Sequence, residues 1–214
     1  MPFIARSGPI SCSQTVARMA GSTLLFAVTC MAQSGNCVIQ SSAVGTVRVG
    51  MTVRQARQVL GGAKVTQAED SDRISILVVT RDGKRAMDLY PDNDNPAKEQ
   101  AVIELVRVYD PACATADGVH AGMLLSEVAQ HFGRMKRLVK MESEPREYAD
   151  FEKVPNWLEI QPGQGEAGIY PKGSRCTTQF HPDARVASLW VSKPLTNKLP
   201  EDPGFCETAI AQRR

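Results

Sequence analysis

The sequence predicts an α+β protein built from two tandem units, each a short helix packed on an antiparallel β-sheet. Three observations predict it. The segment from Gly50-Met51 to Gly61 aligns without a gap with the segment from Gly122-Met123 to Gly133, a spacing of 72 residues. Both copies carry the apolar periodicity of one amphipathic helix. Each copy is followed by short runs rich in β-branched residues and bounded by turn signals. A repeat of this length marks a duplicated domain rather than a solenoid. We therefore expect a signal segment over residues 1–32, units over 38–110 and 111–194, and an extended tail over 195–214.

Each helix is legible at both ends. Leu125, Val128, Ala129 and Phe132 recur at i, i+3, i+4 and i+7, and Val53, Ala56, Val59 and Leu60 nearly do, so each helix has one apolar face. Thr52 with Gln55 three residues on reads as a capping box. Gly61 and Gly133 sit where a helix stops in a backbone conformation that favours glycine. Helices this short cannot hold alone, so strands must cover them. In the first unit these are Ile74–Thr80, the turn Arg81-Asp82-Gly83-Lys84, Arg85–Tyr90 and Ala101–Tyr109. In the second they are Leu138–Ser143, Glu147–Phe151, Trp157–Ile160, Ala167–Tyr170 and Arg185–Val191, broken by Pro155, Pro162 and Pro171. On the last strand Leu189 and Val191 face one way while Ser188 and Trp190 face the other.

The N-terminal stretch has Arg6 and Arg18 as its only charges and an uncharged run from Met19 to Ala32. A basic leader, a short apolar centre and small residues make a secretory signal. The apolar run is too short for the roughly 20 residues of a membrane-spanning helix. Cleavage after Ala32 yields a periplasmic or secreted protein. The alternative is a lipoprotein in which Cys30 is lipidated and tethers the chain to the membrane, although Ala27-Val28-Thr29 departs from the usual pattern before such a cysteine. The chain has 25 Lys+Arg against 23 Asp+Glu, and the leader removes two arginines and no acid. The balance that remains leaves no electrostatic footprint for nucleic acid. Cys37, Cys113, Cys176 and Cys206 follow the leader. An even count in an exported chain favours disulfides over metal. Of three possible pairings, Cys37–Cys113 with Cys176–Cys206 is preferred, since each bond would close one unit's loose end.

These residues resemble a known family. Gly50-Met51 to Gly61, Gly122-Met123 to Gly133, and the closing runs Val102–Val108 and Val186–Val191 are similar to the domains of small envelope lipoproteins of the SmpA/OmlA type. Two in tandem with disulfides resemble the β-lactamase inhibitory protein. The resemblance implies the fold, and a role in scaffolding outer-membrane assembly or inhibiting an enzyme through a sheet surface. The matched positions are core and caps, so no partner-contacting residue follows from it.

Catalytic readings find little support. Gly163-Gln164-Gly165-Glu166-Ala167-Gly168 spells a dinucleotide fingerprint, but Pro162 and Pro171 flank it where a strand and a helix are required. Asp92 to Asn95 suggests a calcium loop, yet Ala97 and Ile103 stand where glycine and glutamate belong. Cys176 with His181 and Asp183 could serve as a thiol nucleophile and its base, but an exported cysteine is more readily half of a disulfide. Neither a metal nor a cofactor is called for. Aromatic side chains, enriched at interfaces, concentrate in the second unit. Trp190, set opposite Leu189 with Val106 as its counterpart in the first unit, is the leading partner-contact candidate, with Trp157 and Tyr170. The expected function is non-enzymatic, an exported module that binds a protein partner through its sheet surface.

Overall fold

The computed structural model describes residues 37–92, 98–141, 146–163 and 166–194. The expected leader with Cys30, the tail with Cys206, most of the Asp92–Asn95 loop, and Gln164-Gly165 lie outside the described residues.

The described residues contain thirteen strands and two eight-residue helices. In chain order they are β1 (Cys37–Gln40), β2 (Ala43–Val44), β3 (Val47–Arg48), α1 (Val53–Leu60), β4 (Lys64–Glu69), β5 (Ser75–Arg81), β6 (Lys84–Pro91), β7 (Ile103–Val108), β8 (Cys113–Thr115), α2 (Leu125–Phe132), β9 (Met135–Lys140), β10 (Glu147–Phe151), β11 (Leu158–Pro162), β12 (Cys176–Thr177) and β13 (Val186–Ser192). The protein is mostly β, which corrects the expected α+β pair of separate helix-on-sheet units. One nine-stranded sheet, β12-β9-β10-β11-β13-β7-β6-β5-β4, takes strands from both halves. A four-stranded sheet, β3-β2-β1-β8, packs beside it. The physical reason lies in β7 and β13. Each closes its own half's sheet, and an unpaired strand edge exposes a row of N–H and C=O groups. Here the two edges satisfy each other, antiparallel, over Val108↔Leu189, Arg107↔Trp190, Val106↔Val191 and Leu105↔Ser192.

The repeat itself is present in atomic detail. Gly50 and Gly122 have φ of 95° and 88°, a region open to glycine at no steric cost. Their N–H groups donate to Ile103 O and Val186 O respectively, both at 2.7 Å. These bonds fix Ile103 and Val186 as equivalent, and therefore Val106 with Leu189 and Arg107 with Trp190. The counterpart of Trp190 is thus Arg107, not Val106. The same register makes Met87-Asp88-Leu89-Tyr90-Pro91 equivalent to Leu158-Glu159-Ile160-Gln161-Pro162, including a bulge before each proline. Pro162 is the last residue of β11. Since Arg107 pairs with its own equivalent, a pseudo-two-fold axis passes between Arg107 and Trp190.

The capping box forms as expected. Gln55 N–H donates to Thr52 Oγ1 (3.3 Å) and Thr52 N–H to Gln55 Oε1 (2.9 Å). Val53, Ala56 and Leu60 of α1 and Leu125, Val128 and Phe132 of α2 enter one core with Leu77, Leu89, Val106, Ile160, Leu189 and Val191 of the large sheet. Ile39, Val44 and Val47 of the small sheet join it. Both helices therefore cover one face of the large sheet, and that face holds its apolar residues. The expected strand at Ala167–Tyr170 is absent, and a single bridge, Gly168↔Phe180, stands there instead. Glu147, 3% exposed, dictates this loop by accepting from Ala167 N–H (2.6 Å), Gly168 N–H (3.1 Å) and Tyr170 Oη (2.6 Å).

The Cys37–Cys113 disulfide forms between β1 and β8, with Cα atoms 4.4 Å apart. A disulfide fits an oxidising compartment outside the cytoplasm. Cys176 is also disulfide-bonded, and its expected partner Cys206 lies outside the described residues. An oxidised sulfur cannot serve as the thiolate that the Cys176–His181 reading needs.

Candidate functional site: a polar and aromatic sheet face

Side chains alternate across a strand, so the residues between the core positions share the opposite face of the large sheet. Pairing places Val78, Asp88, Arg107, Trp190 and Glu159 in one row across five strands. Tyr90, Tyr109, Tyr148, Gln161 and Ser188 surround that row.

Trp190 is its centre and is half-buried. Its ring stacks on Tyr90 (centroids 5.6 Å, 27° between planes) and meets Tyr148 edge-on at 6.5 Å. The Arg107 guanidinium lies 5.0 Å from the Trp190 centroid and 5.0 Å from that of Tyr109, within cation–π range. Arg107 is held there because Nε donates to Ser188 Oγ (3.0 Å) and Nη2 donates to Gln161 Oε1. Gln161 Oε1 also accepts from Ser188 Oγ (2.9 Å) and Trp190 Nε1 (3.2 Å). A network this saturated holds the ring in one orientation.

Asp88 is fully buried on the same face. Arg85 grips it with two bonds, Nε to Oδ1 at 2.7 Å and Nη2 to Oδ2 at 2.6 Å, and Tyr109 Oη donates to Oδ2 at 2.7 Å. Burial, with this bond to Asp88, pushes the Tyr109 phenol up. Burial likewise pushes Tyr90 up to about 12, so both phenols stay protonated donors.

One end of the face is closed by the β4–β5 turn and by the residues that flank the β9–β10 connection. Asp70 N–H donates to Ile74 O in the first, and Met141 N–H to Arg146 O in the second. Arg146, just before β10, pairs with Asp72 and Ser71 of the β4–β5 turn, and its guanidinium lies 6.0 Å from the Trp190 centroid. Tyr90 Oη donates to Asp70 (3.3 Å) beneath them. In a flat sheet β10 and β5 would stand about 24 Å apart, five strand spacings of ~4.8 Å. The contact of Arg146 with Ser71 and Asp72 therefore requires the sheet to curl around this face.

Glu159 is one strand beyond Trp190. Among the described residues no hydrogen bond or ion pair reaches its carboxyl, and desolvation pushes it up to about 7. Its surface is nonetheless exposed. Water screens it in part, and the upward direction is what its crowded position on the curled face supports.

Of the expected contact residues, only Trp190 lies in this cluster. Trp157 and Tyr170 pack against the hydrophobic core, and Tyr170 is bonded to Glu147. Tyr90, Tyr109, Arg107 and Asp88 were not singled out from sequence. A usable signal was there, since Met87–Pro91 and Leu158–Pro162 share the pattern apolar-acid-apolar-polar-proline. A surface cleft of about 610 Å³ between Leu60, Lys64 and the Asp82-Gly83 turn is lined by no aromatic residue. Among the described residues no group of three or more His, Cys, Asp or Glu could hold a metal ion.

No family model and no curated protein matches this sequence. Among solved structures, the chain is similar to the crystal structure of the uncharacterized protein yfeY from Escherichia coli, at 14% identity and a TM-score of 0.48, covering 74% of this chain and 99% of that one. That likeness is too distant to carry a functional argument.

Proposed function

We propose that this protein is an exported, non-enzymatic binding module, periplasmic or secreted, that recognises a protein partner through the curled face around Trp190, as an inhibitor or an envelope scaffold. The observation that carries this reading is the Trp190 cluster itself. Aromatic rings and arginines held rigidly on a sheet face, away from the apolar core, have the composition and pre-organisation of an interface centre. The disulfide supports the compartment. The SmpA/OmlA-like segments agree with a sheet surface as the working part.

The test is affinity capture from the host's envelope fraction with the cysteines oxidised, comparing the unaltered protein with Trp190→Ala and Tyr148→Ala. We expect one stoichiometric protein partner, with affinity reduced at least about thirtyfold by Trp190→Ala, the effect of a hot-spot residue. A partner retained at full affinity by a folded Trp190→Ala variant would remove this face from the interaction.

A further inference from the structure

The two halves of the sheet carry an acid at the same place and treat it differently. Asp88 and Glu159 are equivalent by register, each opposite a member of the axial pair, Arg107 or Trp190. In the first half the acid holds a guanidinium. Arg85 forks onto both oxygens of Asp88 and lies 5.0 Å from the Tyr109 ring centroid. In the second half the corresponding register puts Asn156 where Arg85 stands and Ser192 where Tyr109 stands. The second half carries the acid without the cation.

The charged neighbours do not make up the difference. Arg107 is engaged by Ser188 and Gln161, and Arg146, 6.0 Å from the Trp190 centroid, by Ser71 and Asp72. On β10, Asp150 pairs with Arg137 at 3.4 Å and Lys136 at 3.8 Å, and Tyr148 turns its edge to Trp190. Glu159 is left exposed on the curled face, beside an aromatic ring, with no counter-charge among the described residues. The first half shows which group fits an acid at this position, because a planar guanidinium matches both carboxylate oxygens at once.

We propose that Glu159 receives an arginine side chain supplied by the protein partner, repeating between molecules the fork that Arg85 and Asp88 form within one. This deepens the reading given above and rests on it for the source of the arginine. Trp190 is the direct cross-strand partner of Glu159, so the guanidinium would lie beside its indole, although Tyr109 itself has no equivalent ring in this half. Only the ionised carboxylate makes the fork. With Glu159 raised to about 7, binding should weaken as pH falls through that value.

The test uses the full oxidised chain, isotopically labelled so that the indole N–H resonances of Trp190 and Trp157 are followed separately. N-acetyl-arginine amide, N-acetyl-lysine amide and the neutral N-acetyl-citrulline amide are titrated in turn. We expect a saturable shift at Trp190 from the arginine compound, a weaker response to lysine and none to citrulline. Glu159→Gln should weaken the arginine response about tenfold or more, the effect of losing a charged hydrogen bond. Asn156→Arg should do the same by supplying the guanidinium from within the chain, and an unmoved Trp157 resonance reports that both variants are folded. An equal response to citrulline, or an arginine response unchanged in Glu159→Gln, overturns the proposal. A protein captured through Trp190 that tolerates both Glu159→Gln and Asn156→Arg also overturns it, while leaving the binding face intact. An arginine response from a chain that captures no protein keeps the guanidinium site and removes the protein as its source.

Discussion

Glu159 carries a consequence for stability that can be measured without any partner. Desolvation in the folded state raises its carboxyl to about 7, against about 4.3 in an unfolded chain. The folded protein therefore binds this proton more tightly. That contribution is fully present below the unfolded value and is lost as pH rises through about 7. Removing the charge should relieve the penalty only where the charge exists. We expect Glu159→Gln to leave the melting temperature unchanged at pH 4 and to raise it by about 1–4 °C at pH 8, a modest figure because water reaches the group. Calorimetric scans at pH 4, 6 and 8 decide it, and a Tm gain at pH 4 equal to that at pH 8 would mean the charge is not the cause. Asp88, the equivalent acid of the first half, is buried deeper and is matched by Arg85 and Tyr109. The outward direction of Trp190 was legible from alternation along one strand. Its neighbours Tyr90, Arg107 and Glu159 were not, because they depend on which strands pair and in what register, which alternation within a strand does not encode.

Elements that sequence reasoning reached and missed differ in where their stabilising contacts lie. Both helices and the β5–β6 hairpin are written locally, in a capping box, apolar spacing and the Asp82-Gly83 turn, whose residues have φ of 50° and 75°. β4 escaped notice because Lys64-Val65-Thr66-Gln67-Ala68-Glu69 is exposed or half-exposed along its whole length, so it shows no alternation and exists through its pairing with β5. The Ala167–Tyr170 segment shows the reverse error. Its apolar residues suggest a strand, but Glu147 takes its N–H groups and bends it inward. A Cβ added at Gly168 would sit 2.6 Å from the Tyr170 ring and 2.9 Å from Leu138 Cδ2. The ring is pinned to Glu147 by its hydroxyl, so it has little room to retreat. Gly168→Ala should therefore cost about 1–3 kcal/mol as an overpacking change, read as a lower urea midpoint. An unchanged midpoint would mean that the loop moves freely and that Glu147 does not fix it.

At the scale of the whole molecule, the described residues form one core, and its cohesion depends on joining distant segments. Cys37 and Cys113 are 76 residues apart in sequence. By the chain-entropy argument, a closed loop of that size restrains the unfolded state by about 4.5 kcal/mol. Replacing both cysteines by alanine should lower the unfolding free energy by up to that amount, measured in urea, and a loss under about 1 kcal/mol would show that the small sheet holds β1 and β8 together without the bond. The two matching segments were legible because glycines and apolar spacings recur. The fusion of the two sheets was not, since Ile103–Val108 and Val186–Ser192 read as core strands whichever neighbour they pair with. The pairing of β7 with β13 has a further implication. In a symmetric dimer of identical halves, the residue on the axis must face its own copy, arginine against arginine or tryptophan against tryptophan. The first juxtaposes like charges and the second offers no cation. A single continuous chain is released from that rule, and only in such a chain can Arg107 and Trp190 meet as unlike partners at the centre of the face.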